Sequence, residues 1–417
     1  MVLAVALSGC GHAGGQRTAG PTSASSATKP VTGASTAGRT SGHPASGTPT
    51  HGTPTSGTST SVSPSGTPSQ SASGARTVTV LGSGDVLIHP PLWEQAAADA
   101  KAQGRTGYDF GPIYAGIAPI TRAADLAICE LETPLAAPGG PFAGWPNFNA
   151  PPQVLTALTA AGYDSCTTAS NHTLDQGYTG VKRTLDELDA AGLRHTGSAR
   201  SAAEASRPLI LTTGNGVRIA QLAYSFGFNG IPVPAEQPWL ANTIDLPAIL
   251  AAAHRAKQAG ADIVVLSMPW GIEYDHQPSA EQTSQADRLL ASPDIDVILG
   301  DHPHVVQPFE KLHGKWVAYC TGNQISRHEV QDVGNREGVM PRLTFTEVTP
   351  HHFVTTRAEA IPTWMEFSPR LRLIELHSAI ADPRTTAGAR AEYQAALARI
   401  TGYLDLLDAR RNGLIIG

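Results

Sequence analysis

Charge is scarce at the start of this 417-residue chain and one-sided after it. The first 75 residues contain no Asp or Glu, and their only bases are Arg17, Lys29 and Arg39. Residues 11–75 also lack Leu, Ile, Phe, Tyr and Trp, and are mostly Ser, Thr, Gly, Pro and Ala. Such a stretch has nothing to bury, so it is expected to be a disordered tether. Its length corresponds to an end-to-end distance of roughly 45 Å. The rest of the chain holds all 35 acids and 26 of the 29 bases, with no cluster of Lys and Arg. That balance argues against nucleic acid as a partner, because phosphate backbones are bound by clustered cations. It is compatible with divalent metal ions.

The apolar run in MVLAVALSGC is too short to cross a bilayer and reads as the core of an export signal. Its end, Leu7-Ser8-Gly9-Cys10, resembles the lipobox of bacterial lipoproteins, which implies lipidation at Cys10. Residues 1–10 are then the signal, and 11–75 lift the folded part off the membrane. The expected location is the extracellular face of the cell membrane, through a lipid anchor. No Lys or Arg precedes the run, so the signal either starts upstream of Met1 or is atypical. The remaining cysteines, Cys129, Cys166 and Cys320, lie in apolar runs, where a buried cysteine acts as a small hydrophobe. An odd number leaves at least one thiol unpaired in an exported chain. No pairing is assigned and no catalytic thiol is expected.

From Arg76 onward, short β-branched runs alternate with amphipathic stretches. TVTVLGSGDV, ADLAICELETPL, YDSCTTASNH, RIAQLAYS, DIVVLSMPWG, DVILGDHPH and WVAYCTGN read as strands, each ending in polar residues. QVLTALTAAG, TGVKRTLDELDAAG, LPAILAAAHRAKQAG and SAEQTSQADRLLAS read as helices. This alternation predicts a layered α/β domain with functional residues at strand C-terminal ends. Asp85, Glu132, Asn171, His172, His302 and His304 all follow apolar runs. If the chain stays extended past Gly300, His302 and His304 point the same way, as positions i and i+2 of a strand do. Carboxylate, amide and imidazole ligands gathered at one edge suit one or two ions of Mn, Fe or Zn, and the lack of thiolate argues against structural zinc.

At these residues the chain resembles the bacterial CapA family of capsule and poly-γ-glutamate synthesis, whose fold is similar to calcineurin-like metallophosphoesterases. GSGDVLI, ADLAICELETPL, YDSCTTASNHTLDQG, WGIEYDHQPSAEQ, DVILGDHPHVVQP and YCTGNQIS carry the resemblance, in family order, over residues 78–326. It implies a four-layer α/β/β/α sandwich of the metallophosphoesterase type. It also implies that Asp85 and His304 hold one metal, Glu132 bridges, Asn171 and His302 hold a second, and His172 serves as general acid. The substrate implied is an anionic polymer or a phosphate ester.

Two positions depart from the family. Pro269-Trp270-Gly271 stands where His-Trp-Gly is usual, which removes an imidazole, and Glu130 stands where Asn is common. His276 or Glu130 is the expected replacement ligand. Two functions follow: a metal-dependent hydrolase at the cell surface, or a non-catalytic polymer-binding or assembly factor with a degenerate site. A 5′-nucleotidase-like enzyme is a weaker third, since no nucleobase-stacking module is evident. The domain is expected over 76–350, with 351–417 completing it. GVMPRLTFTEV and PRLRLIELHS read as strands, and a terminal amphipathic helix presents Tyr393, Leu397, Ile400 and Leu404 and runs to Arg410-Arg411.

Overall fold

The computed structural model describes residues 74–328 and 332–417. The signal at 1–10 with Cys10, and all but the last two residues of the tether at 11–75, lie outside the described residues. The α/β class expected from the alternating pattern is the class observed. One sheet runs in the order Asn323–Ile325, Asp85–Val86, Leu126–Glu130, Thr77–Leu81, Glu337–Thr349, His352–Glu366, Arg372–Glu375. Ser165–Thr167 also pairs with Leu126–Glu130, and Arg194–Thr196 pairs beyond it. The other sheet runs Phe309–Leu312, Lys315–Ala318, Val297–Asp301, Ile263–Pro269, Arg218–Ala223, Leu209–Thr212.

Strand alternation sorts side chains into separate cores. Val78, Val80, Leu126 and Ile128 of the first sheet share a core with Ile219, Ile263, Val265, Val297 and Leu299 of the second. The intervening residues face outward: Leu81, Ala127, Cys129 and Cys166 pack under Leu92, Leu155, Leu158, Leu185 and Leu188 of helices Pro90–Ala102, Val154–Ala161 and Gly177–Ala190. Ala220, Val264, Leu266 and Ile298 do the same under Ile249, Ala253 and Leu289 of helices Leu246–Gln258 and Ala280–Leu290. Because both faces of the central strands are covered, Leu126–Glu130, Ile263–Pro269 and Val297–Asp301 are buried throughout and read as near-continuous apolar runs. Helix starts follow their caps. Asp245 accepts from Ala248 N, and Ser279 with Gln282 forms a reciprocal capping box.

Beyond residue 351, His352–Glu366 pairs antiparallel with Glu337–Thr349, and helix Ala387–Leu404 lays Tyr393, Ala396, Ile400 and Leu404 on the shared core. Ala396 faces inward where Leu397 was expected, and Leu397 is only partly covered. The helix stops at Leu404, short of the arginines at which it was expected to end.

Cys129 and Cys166 are register partners on adjacent parallel strands and form a disulfide, with their Cα atoms 4.4 Å apart. Among the described residues Cys320 is the free cysteine; it is buried, and burial pushes its thiol well above the ordinary range, which disfavours the nucleophilic thiolate. Cys129→Ser is expected to lower stability by ~3 kcal/mol. The urea midpoint under non-reducing conditions checks this; an unchanged midpoint means the bond contributes nothing.

Candidate metal centre

The candidate ligands sit at or just past the C-terminal ends of parallel strands, where backbone pairing stops and side chains can face a common edge. Asp85 begins Asp85–Val86, with Glu130 of the neighbouring strand as its register partner. Glu132 lies two residues past that strand, Asn171 and His172 follow Ser165–Thr167, and His302 and His304 follow Val297–Asp301. Gly84 permits the approach at Asp85, because a Cβ there would stand 1.9 Å from the Gly322 carbonyl oxygen.

The paired histidines do not converge by strand alternation, which corrects the expectation that the chain stays extended past Gly300. The strand ends at Asp301, and His302 and His304 take left-handed backbone angles, φ 93° and 59°. Such angles cost a non-glycine residue about 1 kcal/mol or more and persist only where the surroundings impose them. Here Trp270 N donates to Asp301 O at 3.1 Å, Tyr274 N donates to Pro303 O at 2.8 Å, and Asn323 Nδ2 donates to His304 O at 3.2 Å.

His304 Nδ1 lies 2.8 Å from Asp85 Oδ2 and 3.1 Å from Asn323 Oδ1, and its Nε2 lies 3.7 Å from Glu132 Oε1. Asp85, Glu132 and His304, all buried, each offer a ligand atom, and these atoms lie within 4.8 Å of one another. Glu273, His302 and His304 form a second group by the same measure. Asn171 Nδ2 donates to Asn229 Oδ1 at 3.4 Å. His172 Nδ1 is 2.7 Å from Asp175 Oδ2, which also accepts from Phe148 N. The Phe148 ring meets the His172 imidazole edge-on, with centroids 4.7 Å apart.

Burial pushes Asp85 up to about 7. Burial first, and then the charges of neighbouring acids, push Glu130, Glu132 and Asp301 well above the carboxylate range. Burial lowers His302 to about 3 and His304 to about 4, so both imidazoles are neutral and keep a lone pair near pH 7. Both carboxylate oxygens of Glu130 and of Glu132, Asn171 Oδ1 and His302 Nδ1 are buried without a hydrogen-bond partner. Each such atom costs ~1–3 kcal/mol when left uncompensated, and these belong to residues gathered at one sheet edge. A mixed oxygen and nitrogen donor set of this kind fits a divalent cation.

Several residues of this edge carried no role in the sequence reading: Glu273, Asn323, Asp175, His89 and His328. Asn323 had a signal, since it follows an apolar run as the other ligands do. His89 and His328 had none. Their rings lie 4.8 Å apart, His328 lies 5.1 Å from His304, and burial lowers both to about 3. His276, expected as a replacement ligand, is engaged elsewhere. Its Nδ1 lies 2.8 Å from Val306 O and its ring stacks on Tyr403 at 3.5 Å. A cavity of about 280 Å³ adjoins the edge, lined by Trp270, Gly271, Ile272 and Phe226, whose ring lies 4.4 Å from that of His302.

Comparison with known proteins places these residues in a family. The family described as "Bacterial capsule synthesis protein PGA_cap" matches residues 79–328. The "Capsule biosynthesis protein CapA" of Bacillus anthracis is 31% identical over 180 residues, 42% of this chain and 43% of that protein. The "PGA biosynthesis protein CapA" of Bacillus subtilis is 33% identical over 159 residues, 37% of this chain and 40% of that protein. The crystal structure of the calcineurin-like phosphoesterase YfkN from Bacillus subtilis aligns with 14% identity and a TM-score of 0.40, covering 78% of this chain and 99% of that one. The matches span about two fifths of the length of these two curated relatives. Since the matched span contains every candidate ligand from Asp85 to His304, the chain belongs to the bacterial capsule synthesis protein family PGA_cap.

Proposed function

We propose that this chain is a metal-dependent hydrolase of capsule or poly-γ-glutamate synthesis, held by a lipid on Cys10 at the extracellular face of the cell membrane. Its substrate is an anionic polymer or a phosphate ester. The observation that carries the proposal is the set of buried, unpartnered donor atoms on Glu130, Glu132, Asn171 and His302. Asp85, Glu132 and His304 would hold one divalent cation, with Asn171 and His302 beside it. Such an ion supplies Lewis acidity and lowers the pKa of a water molecule. His172 is oriented by Asp175, whose Oδ2 accepts a hydrogen bond from Nδ1–H and leaves Nε2 free to give or receive a proton. The cavity beside Phe226 accommodates the part of the substrate away from the reacting bond.

The second reading, a non-catalytic polymer-binding or assembly factor, draws on Pro269, where the family's imidazole is missing. One experiment separates the two. The purified full chain, loaded with Mn²⁺, is assayed on a chromogenic phosphodiester and on γ-linked oligoglutamate, with and without EDTA. Turnover abolished by EDTA supports the hydrolase. Metal binding and polymer retention without turnover favour the assembly role.

The pH dependence of metal stabilisation follows from Asp85. Its folded pKa lies above its ordinary value, so the metal-free protein loses stability as pH rises from about 4 to about 7. A cation must displace that proton, and above about pH 5.5 burial has already left His302 and His304 neutral. The thermal shift given by Mn²⁺ is therefore expected to grow from pH 5.5 to 7.5, by up to about 1.4 kcal/mol per pH unit for each proton displaced. A shift independent of pH would rule out Asp85 as a ligand.

A further inference from the structure

We infer that Glu273 is a ligand of a second divalent cation, together with His302, and that it replaces the imidazole lost at Pro269. This rests on the reading of the edge as a metal centre. Pro269 is the last residue of strand Ile263–Pro269, registered opposite Asp301, and its ring has no donor atom. The chain then turns back over the His-Pro-His segment. Gly271 takes φ 94°, Tyr274 takes φ 66°, and Tyr274 N donates to Pro303 O at 2.8 Å.

This fold-back brings a carboxylate oxygen of Glu273 and ring nitrogens of His302 and His304 within 4.8 Å of one another. A second, independent observation points to a ligand at the same place. His302 is 6% exposed, and its Nδ1 is buried with no partner. Glu273 is exposed while the two histidines are buried, so the group is open on one side, as a substrate-binding metal site is. Shifting the ligand by four residues exchanges an imidazole for a carboxylate, and a harder oxygen donor favours Mn or Fe over Zn.

The test counts ions. The full chain, Glu273→Gln, Glu273→Ala and Glu273→Ala with Pro269→His are loaded with Mn²⁺, freed of excess metal and measured by elemental analysis and by electron paramagnetic resonance. Wild type is expected to hold two ions with a spin-coupled signal. Both single variants are expected to hold one, with affinity for the second weakened at least tenfold, and the double variant to regain it. Because Glu273 is exposed, the metal-free melting temperature should not change, which separates ligation from misfolding. Two ions held unchanged by Glu273→Gln and Glu273→Ala would overturn this inference and leave the metal centre intact. A wild type with one ion would remove the second site, and one with none would remove the reading on which it rests.

Discussion

Replacing His304 is expected to abolish metal binding altogether. His304 is the one side chain common to both ligand groups, with Asp85 and Glu132 on one side and Glu273 and His302 on the other. Loss of a shared ligand should weaken affinity by at least ~100-fold, beyond the 10–100-fold typical of residues that only orient a ligand. His304→Ala risks confusing ligand loss with unfolding, so His304→Gly is the decisive variant. Glycine adopts φ 59° without penalty, and the substitution should relieve local strain of about 1 kcal/mol. The expected result is no Mn²⁺-induced shift, with a metal-free melting temperature below that of wild type, because the lost imidazole leaves Asp85 Oδ2 and Asn323 Oδ1 without their partner, but above that of His304→Ala. A variant that still responds to Mn²⁺ as wild type does would show that the ion sits elsewhere. Asp85→Asn should differ in kind, since Asp85 belongs to one group only and the Glu273 side keeps its donors.

The layout of strands and helices was legible because its determinants are local. Asp245, Ser279 and Gln282 announce their helices, and the buried strands show as apolar runs closed by a polar residue. Asp85, Glu132 and His304 could be named for the same reason: each ends such a run. What the sequence could not show was the conformation between elements. His302 and His304 are brought together by left-handed turns, which leave no alternation to read. Glu273 carried no role in the sequence, because its place depends on a fold-back held by hydrogen bonds from Trp270 and Tyr274 to a segment some thirty residues later. His276 looked available, yet the terminal helix claims it through Tyr403. The pairing of Cys129 with Cys166 required knowing that their strands are neighbours in register, which a spacing of 37 residues does not reveal.

Gly300 sets how the metal-bearing turn leaves its strand, and Gly300→Ala should be strongly damaging for a change of a single methyl group. A Cβ at Gly300 would stand 2.0 Å from the Tyr319 carbonyl oxygen and 2.6 Å from Trp270 Nε1, two atoms already joined by a 2.9 Å hydrogen bond. Neither can yield cheaply. Tyr319 directly follows strand Lys315–Ala318, and Trp270 is buried against the second sheet's outer helices. The expected loss is ~3–5 kcal/mol, read as a fall of roughly 10 °C in melting temperature. Because Trp270 N also holds Asp301 O at the root of the turn, Mn²⁺ affinity should fall with stability. Gly402→Ala provides the contrast. Gly402 lies inside helix Ala387–Leu404 with nothing within 4 Å of an added Cβ, so the same methyl should stabilise by ~1 kcal/mol and leave metal binding untouched. Equal effects at the two positions would mean that the contact between Gly300, Trp270 and Tyr319 is not what shapes the turn.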